Sequence, residues 1–149
     1  MTTVTPTYDA LNHLANMDAL SACFRRVCDS LASPGLFVFD LNTAKGLNRW
    51  NGISVMDTED TTIINRGIYA PGEKRAYLSI TGFARTSDDT FERFREVAYN
   101  TVFAMKDVVA QLERTGFTQI RVSGASDLES PADDPETLDR AVFICEKAG

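Results

Sequence analysis

Leu20, Cys23, Phe24, Val27, Cys28 and Leu31 stand at i, i+3, i+4, i+7, i+8 and i+11, the apolar stripe of one amphipathic helix. Arg25, Arg26 and Asp29 fall on the opposite side. Asn16 and Asp18 bring an acceptor and negative charge to the first free N–H groups, and Pro34-Gly35 ends the helix. Leu36-Phe37-Val38-Phe39 is apolar without alternation, which predicts a strand covered on both faces and stopping at Asp40 and Asn42. Met105, Val108, Val109 and Leu112 form a second stripe, predicting a helix over 105–114 with Gly116 at the left-handed C-cap. Phe117 to Ser123 and Ala141 to Cys145 read as strands, and Val4 to Leu14 as a strand running into a loop.

Between the two helices lie three segments of strand character, 61–69, 75–85 and 90–99. Ala70-Pro71-Gly72-Glu73-Lys74 and Thr86-Ser87-Asp88-Asp89 join them, and short connections of that composition predict an antiparallel meander. Eight of the fourteen aromatic residues lie between Trp50 and Phe103. They suit a small sheet packing on a larger one, or a lid whose inner face binds substrate. Asp127 to Asp139 is acidic and contains proline, a surface loop. The expected architecture is α/β in one domain. Residues 1–48 and 104–149 form the core, and 49–103 an inserted antiparallel β lid.

Composition narrows the function. At 149 residues the chain suits a single domain. Fifteen basic against twenty-one acidic residues, a net charge of −6, argue against nucleic acid and against anionic membranes. No apolar run is long enough to span a bilayer. The first residues carry neither a basic nor an apolar segment, so a cytoplasmic protein is expected. The three cysteines include no CxxC pair, and Cys23 and Cys28 point to different helix faces, which predicts reduced thiols. With one histidine and no cysteine cluster, no metal site is expected.

Several phrases resemble class I S-adenosylmethionine-dependent methyltransferases, in that family's C-terminal order. Tyr8-Asp9-Ala10-Leu11-Asn12-His13-Leu14 resembles the end of the fourth core strand and its loop. Ser33 to Asn42 is similar to the Pro-Gly turn and fifth strand. Leu112-Glu113-Arg114-Thr115-Gly116-Phe117 resembles the last-helix phrase before the sixth strand, and Arg140 to Lys147 the seventh. Phe91-Glu92-Arg93-Phe94-Arg95-Glu96 resembles a subgroup with a β lid after the fifth strand, with Ala98 where that subgroup often carries histidine.

The resemblance implies a partial Rossmann-like sheet with strands ordered 4-5-7-6 and a meander inserted after the second strand. It implies S-adenosylmethionine as cofactor and methyl transfer to a small acceptor. The family's first half supplies a Gly-rich loop and a ribose-binding acid. It has no counterpart here, since the nine glycines include no G-x-G pair. Cofactor binding by this chain alone is therefore not expected. A non-catalytic partner-binding module and a small-ligand-binding α+β module remain alternatives. The resemblance also leaves the fourth strand, around Val4 to Leu11, as a free edge, so a homodimer through it and the adjoining helix is expected.

By the resemblance, Tyr8, Asp9 and Asn12 neighbour the cofactor. His13 could act as a base near neutral pH, or be an ordinary loop histidine. Asp9 and Asn12 could equally be turn residues. Asp40 and Asn42, just past a buried strand, are candidates for substrate binding or for helix capping. Trp50, Arg66, Tyr69, Tyr77, Arg93 and Glu96 are lid candidates for the acceptor, with core packing or a solvated face as the alternative.

Overall fold

A computed structural model describes residues 2–149. The first sheet contains β1 (Thr3–Val4), β2 (Leu36–Asn42), β7 (Phe117–Gly124), β8 (Asp127–Pro131) and β9 (Arg140–Lys147), ordered β1-β2-β9-β7-β8. β1 runs parallel to β2, and β9 lies antiparallel between β2 and β7. This is the predicted order of four strands with β8 added outside. The second sheet is an antiparallel meander of β3 (Gly52–Asp57), β4 (Thr61–Ile68), β5 (Arg75–Arg85) and β6 (Phe91–Thr101). Helix α1 (Met17–Ser30) connects β1 to β2, a short α2 (Ala44–Asn48) precedes β3, and α3 (Met105–Arg114) leads into β7.

The core sits under α1 and α3 on one face of the first sheet. Register pairs Phe37 with Cys145, Phe39 with Phe143 and Leu41 with Ala141, and all six are fully buried. Phe39 and Phe143 stack with ring centroids 4.7 Å apart, and Phe24 from α1 meets Phe37 edge-on at 5.9 Å. Leu20, Val108, Leu112 and Phe117 close this cluster. The opposite face carries neither α1 nor α3, and its apolar residues Val38, Val142 and Ile144 are only half-buried. The expectation of a strand covered on both faces is corrected here. Val142 and Ile144 lie outside the cluster that holds Phe39 and Phe143. A smaller core of Leu47, Tyr69 and Ala76 fixes the base of the meander.

Other departures have local causes. β1 is two residues long, so the free edge is Thr3–Val4 and not Val4 to Leu11. Residues 10–13 form a 3-10 helix instead. β2 runs through Asp40 and ends at Asn42, and the polar side chains there are bonded internally. β8 lies where a loop was expected, and β3 and α2 are elements to which no segment was assigned. No helix among the described residues is long and apolar enough to cross a membrane.

Candidate functional site

Past β1 the chain enters a tight loop. Tyr8 and Asp9 have φ of 60° and 51°, two consecutive left-handed residues, neither a glycine. Such a conformation persists only where surrounding contacts over-determine it. Here the Asp9 N–H donates to Asp40 Oδ2 at 3.0 Å. Arg140, at the start of β9, donates one guanidinium nitrogen to Asp40 Oδ2 and the other to Asp9 Oδ1 at 3.2 Å. The side chains of Asp9 and Asp40 are 15% and 8% exposed, so two shielded carboxylates share one cation. His13 follows one turn later. Its Nε2 lies 3.9 Å from Asp9 Oδ2, an electrostatic contact longer than a hydrogen bond, and its ring is half-exposed. The Tyr8 side chain is almost wholly exposed.

Beneath this loop lies a buried amide network. Asn12 Nδ2 donates to the carbonyls of Asn42 at 3.2 Å and Thr101 at 3.0 Å, and its Oδ1 accepts from the Asn42 N–H at 2.9 Å. Asn42 Nδ2 donates to Asn100 Oδ1 at 2.9 Å, and the Thr101 hydroxyl donates to the Leu14 carbonyl at 2.6 Å. Buried amides persist only when bonded, and these link the loop, the end of β2 and the end of β6. Asn12 and Asn42 are thereby occupied in holding the lid to the core.

Register decides which lid residues meet. Arg66, Tyr77 and Arg93 stand on one face of the meander, Glu96 on the other. Tyr77 joins Arg75 and Thr101 in lining a cleft of about 740 Å³, which Asn16, Met17 and Asp18 at the start of α1 also line. Arg75 reaches across to the Ala15 carbonyl at 3.3 Å, two residues beyond His13. Trp50 lines a separate cleft of about 380 Å³ with Asn65, Gly67 and Leu78 on the Glu96 face. Tyr69 is buried in the smaller core and faces neither cleft. Arg66, Arg93 and Glu96 are exposed. The sequence reading missed Arg140 and Asn100. Arg140 opens a recognised strand phrase, yet nothing local to it signals a partner 131 residues away.

A parallel β1–β2 pair, an antiparallel β9 set between β2 and β7, and a meander inserted after β2 form a fold shared with solved S-adenosylmethionine-dependent methyltransferases. No family model matches the chain. A solved S-adenosylmethionine-dependent methyltransferase from Clostridium acetobutylicum ATCC 824 shares the fold with a TM-score of 0.81 at 17% identity, over 99% of this chain and 58% of that one. The sugar N-methyltransferase KedS8 from Streptoalloteichus sp ATCC 53650 gives 0.74 at 18% identity, over 99% and 56%. A curated relative from Geobacillus sp. (strain WCH70), itself named a methyltransferase by inference, is 23% identical over 141 residues, 93% of this chain and 56% of its own length. The chain thus spans just over half the length of the relatives it matches.

Proposed function

We propose that this chain is the acceptor-side portion of an S-adenosylmethionine-dependent methyltransferase acting on a small molecule. The observation that carries the reading is the Tyr8–His13 loop. It stands at the C-terminal end of a parallel strand, where open α/β sheets bind ligands, and it gathers an exposed ring, a carboxylate pair and the one histidine.

These residues fit one side of the cofactor. Asp9 and Asp40 carry two negative charges against the single charge of Arg140, leaving an excess negative charge beside the loop. That excess suits a cationic sulfonium. The bound cofactor would supply an activated methyl group for in-line displacement. Of this chain's residues, His13 would accept the proton that an acceptor N–H or O–H releases, with Asp9 stabilising the resulting imidazolium. Tyr77 and the guanidinium groups of Arg66 and Arg93, on the face continuous with the larger cleft, would orient the acceptor. Trp50 and Glu96 would do so only for a molecule reaching the second cleft.

With no Gly-rich loop, the site is incomplete, and weak binding follows. A dissociation constant of about 1 mM or weaker, worth about 4 kcal/mol, is expected for S-adenosylhomocysteine. Nuclear magnetic resonance reads binding that weak. Millimolar S-adenosylhomocysteine should perturb the amides of residues 8–13 and leave β3 and β8 unmoved. Unperturbed loop amides at ten millimolar, about −2.7 kcal/mol, would favour the second reading, a partner-binding module without catalysis. The missing G-x-G is the observation on that side.

A further inference from the structure

We propose that Arg140 is a positioning residue for His13, acting through Asp9, and that it ties the geometry of the candidate site to the last strand of the sheet. The catalytic meaning rests on the reading above. The geometric coupling does not.

Asp9 has two carboxylate oxygens with different tasks. Oδ1 accepts from Arg140 at 3.2 Å, and Oδ2 faces His13 Nε2 at 3.9 Å. The guanidinium therefore sets the rotation of the carboxylate, and the rotation decides which oxygen the imidazole meets. Arg140 can do this because its own direction is fixed from the other side. Its second nitrogen is bonded to Asp40, and Asp40 Oδ2 also accepts the Asp9 N–H at 3.0 Å. The result is a closed ring of contacts running Asp9 backbone, Asp40, Arg140, Asp9 side chain. Two consecutive left-handed residues would otherwise be free to relax, since β1 contributes only Thr3–Val4 to the ladder before the loop begins. A planar fork presenting two nitrogens to two carboxylates is needed, and the point charge of lysine lacks it.

Placement in the sheet supports the same role. Asn42 pairs with Arg140 and Asp40 with Val142, so Asp40, Asn42 and Arg140 share the face of the first sheet that carries neither α1 nor α3. A cation at that position gains no packing from α1 or α3. Its ion-pair partners among the described residues are Asp9 and Asp40.

The test uses the fact that the chain has one histidine, so its ring resonances are unambiguous. In Arg140→Gln the His13 ring resonances should shift, and amide exchange at Asp9 should rise about tenfold as the ring of contacts opens. The β2–β9 ladder amides should stay protected. Arg140→Lys should leave the ring shift in place, because charge returns without the fork. If Arg140→Gln does not fold, Asp40→Asn, which weakens the second anchor of Arg140 and leaves the Asp9 carboxylate in place, should still displace the His13 resonances. Three results would overturn the proposal: unchanged His13 resonances in either variant, full restoration by lysine, or exchange accelerated equally along β2 and β9. No cofactor enters this experiment, so its failure is separate from failure of the methyltransferase reading.

Discussion

Asn12 bonds to the backbone of Asn42 as a neighbouring strand would, giving a hydrogen bond to its carbonyl at 3.2 Å and taking one from its N–H at 2.9 Å. The side-chain amide thus continues the pairing of β2 where β1 has already ended. It also brings the Thr101 carbonyl, and with it the lid, against the same point.

Removing that amide should be expensive. Asn12→Ala leaves a buried N–H and two carbonyls without these partners, and a loss of about 3 kcal/mol is expected. Urea denaturation checks it. A cost under about 0.5 kcal/mol would mean that water replaces the amide without penalty.

The two faces of β9 should respond differently to truncation. Phe143→Ala opens a cavity in the aromatic cluster and should cost roughly 3–5 kcal/mol. Ile144→Ala, on the half-buried face, should cost about 1 kcal/mol. Thermal melts of the two variants measure the contrast, and equal losses would place a cover on the face away from α1 and α3.

Gly46 sits inside α2, where alanine would ordinarily favour the helix by about 1 kcal/mol. A Cβ there would lie 1.9 Å from the Asp139 carbonyl oxygen, which is backbone and cannot swing away. Gly46→Ala should therefore destabilise the chain, by about 2 kcal/mol or more. A higher melting temperature would contradict the packing of α2 on the 134–139 segment.

Burial, reinforced by nearby Cys28, pushes the Cys145 thiol up to about 12, from an ordinary value of 9.0. Between those values the unfolded chain releases a proton that the folded one keeps. Stability should accordingly fall as pH rises from 9 toward 12, by at most about 1.4 kcal/mol per pH unit from this group. Cys145→Val should remove that part of the slope, measured by denaturation at pH 8 and at pH 10.5. The same burial predicts that Cys145 is the last of the three cysteines to be alkylated in the native chain.

The strands that escaped the sequence reading share one property. β3 and β8 are exposed along their whole length, and each is the outer strand of its sheet. β8 has no hydrophobic period to read, and β3 offers only Ile53 and Val55 in alternation. α1 and α3, by contrast, carry one apolar stripe each and lie where the spacing places them, at Met17–Ser30 and Met105–Arg114. The candidate site divides the same way. Asp9 and His13 are legible as a group because four residues bring them within one turn. Asn42 to Asn100 and Asp9 to Arg140 span 58 and 131 residues, and no local pattern announces them.

By itself the sequence determined the helices α1 and α3 and the strands β2, β7 and β9. All of these depend on residues close together in the chain. Only the tertiary structure decided that one face of the first sheet is covered, that Tyr77, Arg66 and Arg93 stand opposite Glu96, and that Arg140 joins Asp9 to Asp40. The reason is register. Side chains alternate across a strand, so a slip of one residue between distant segments would exchange every inward residue for an outward one, and long-range pairing alone sets that choice.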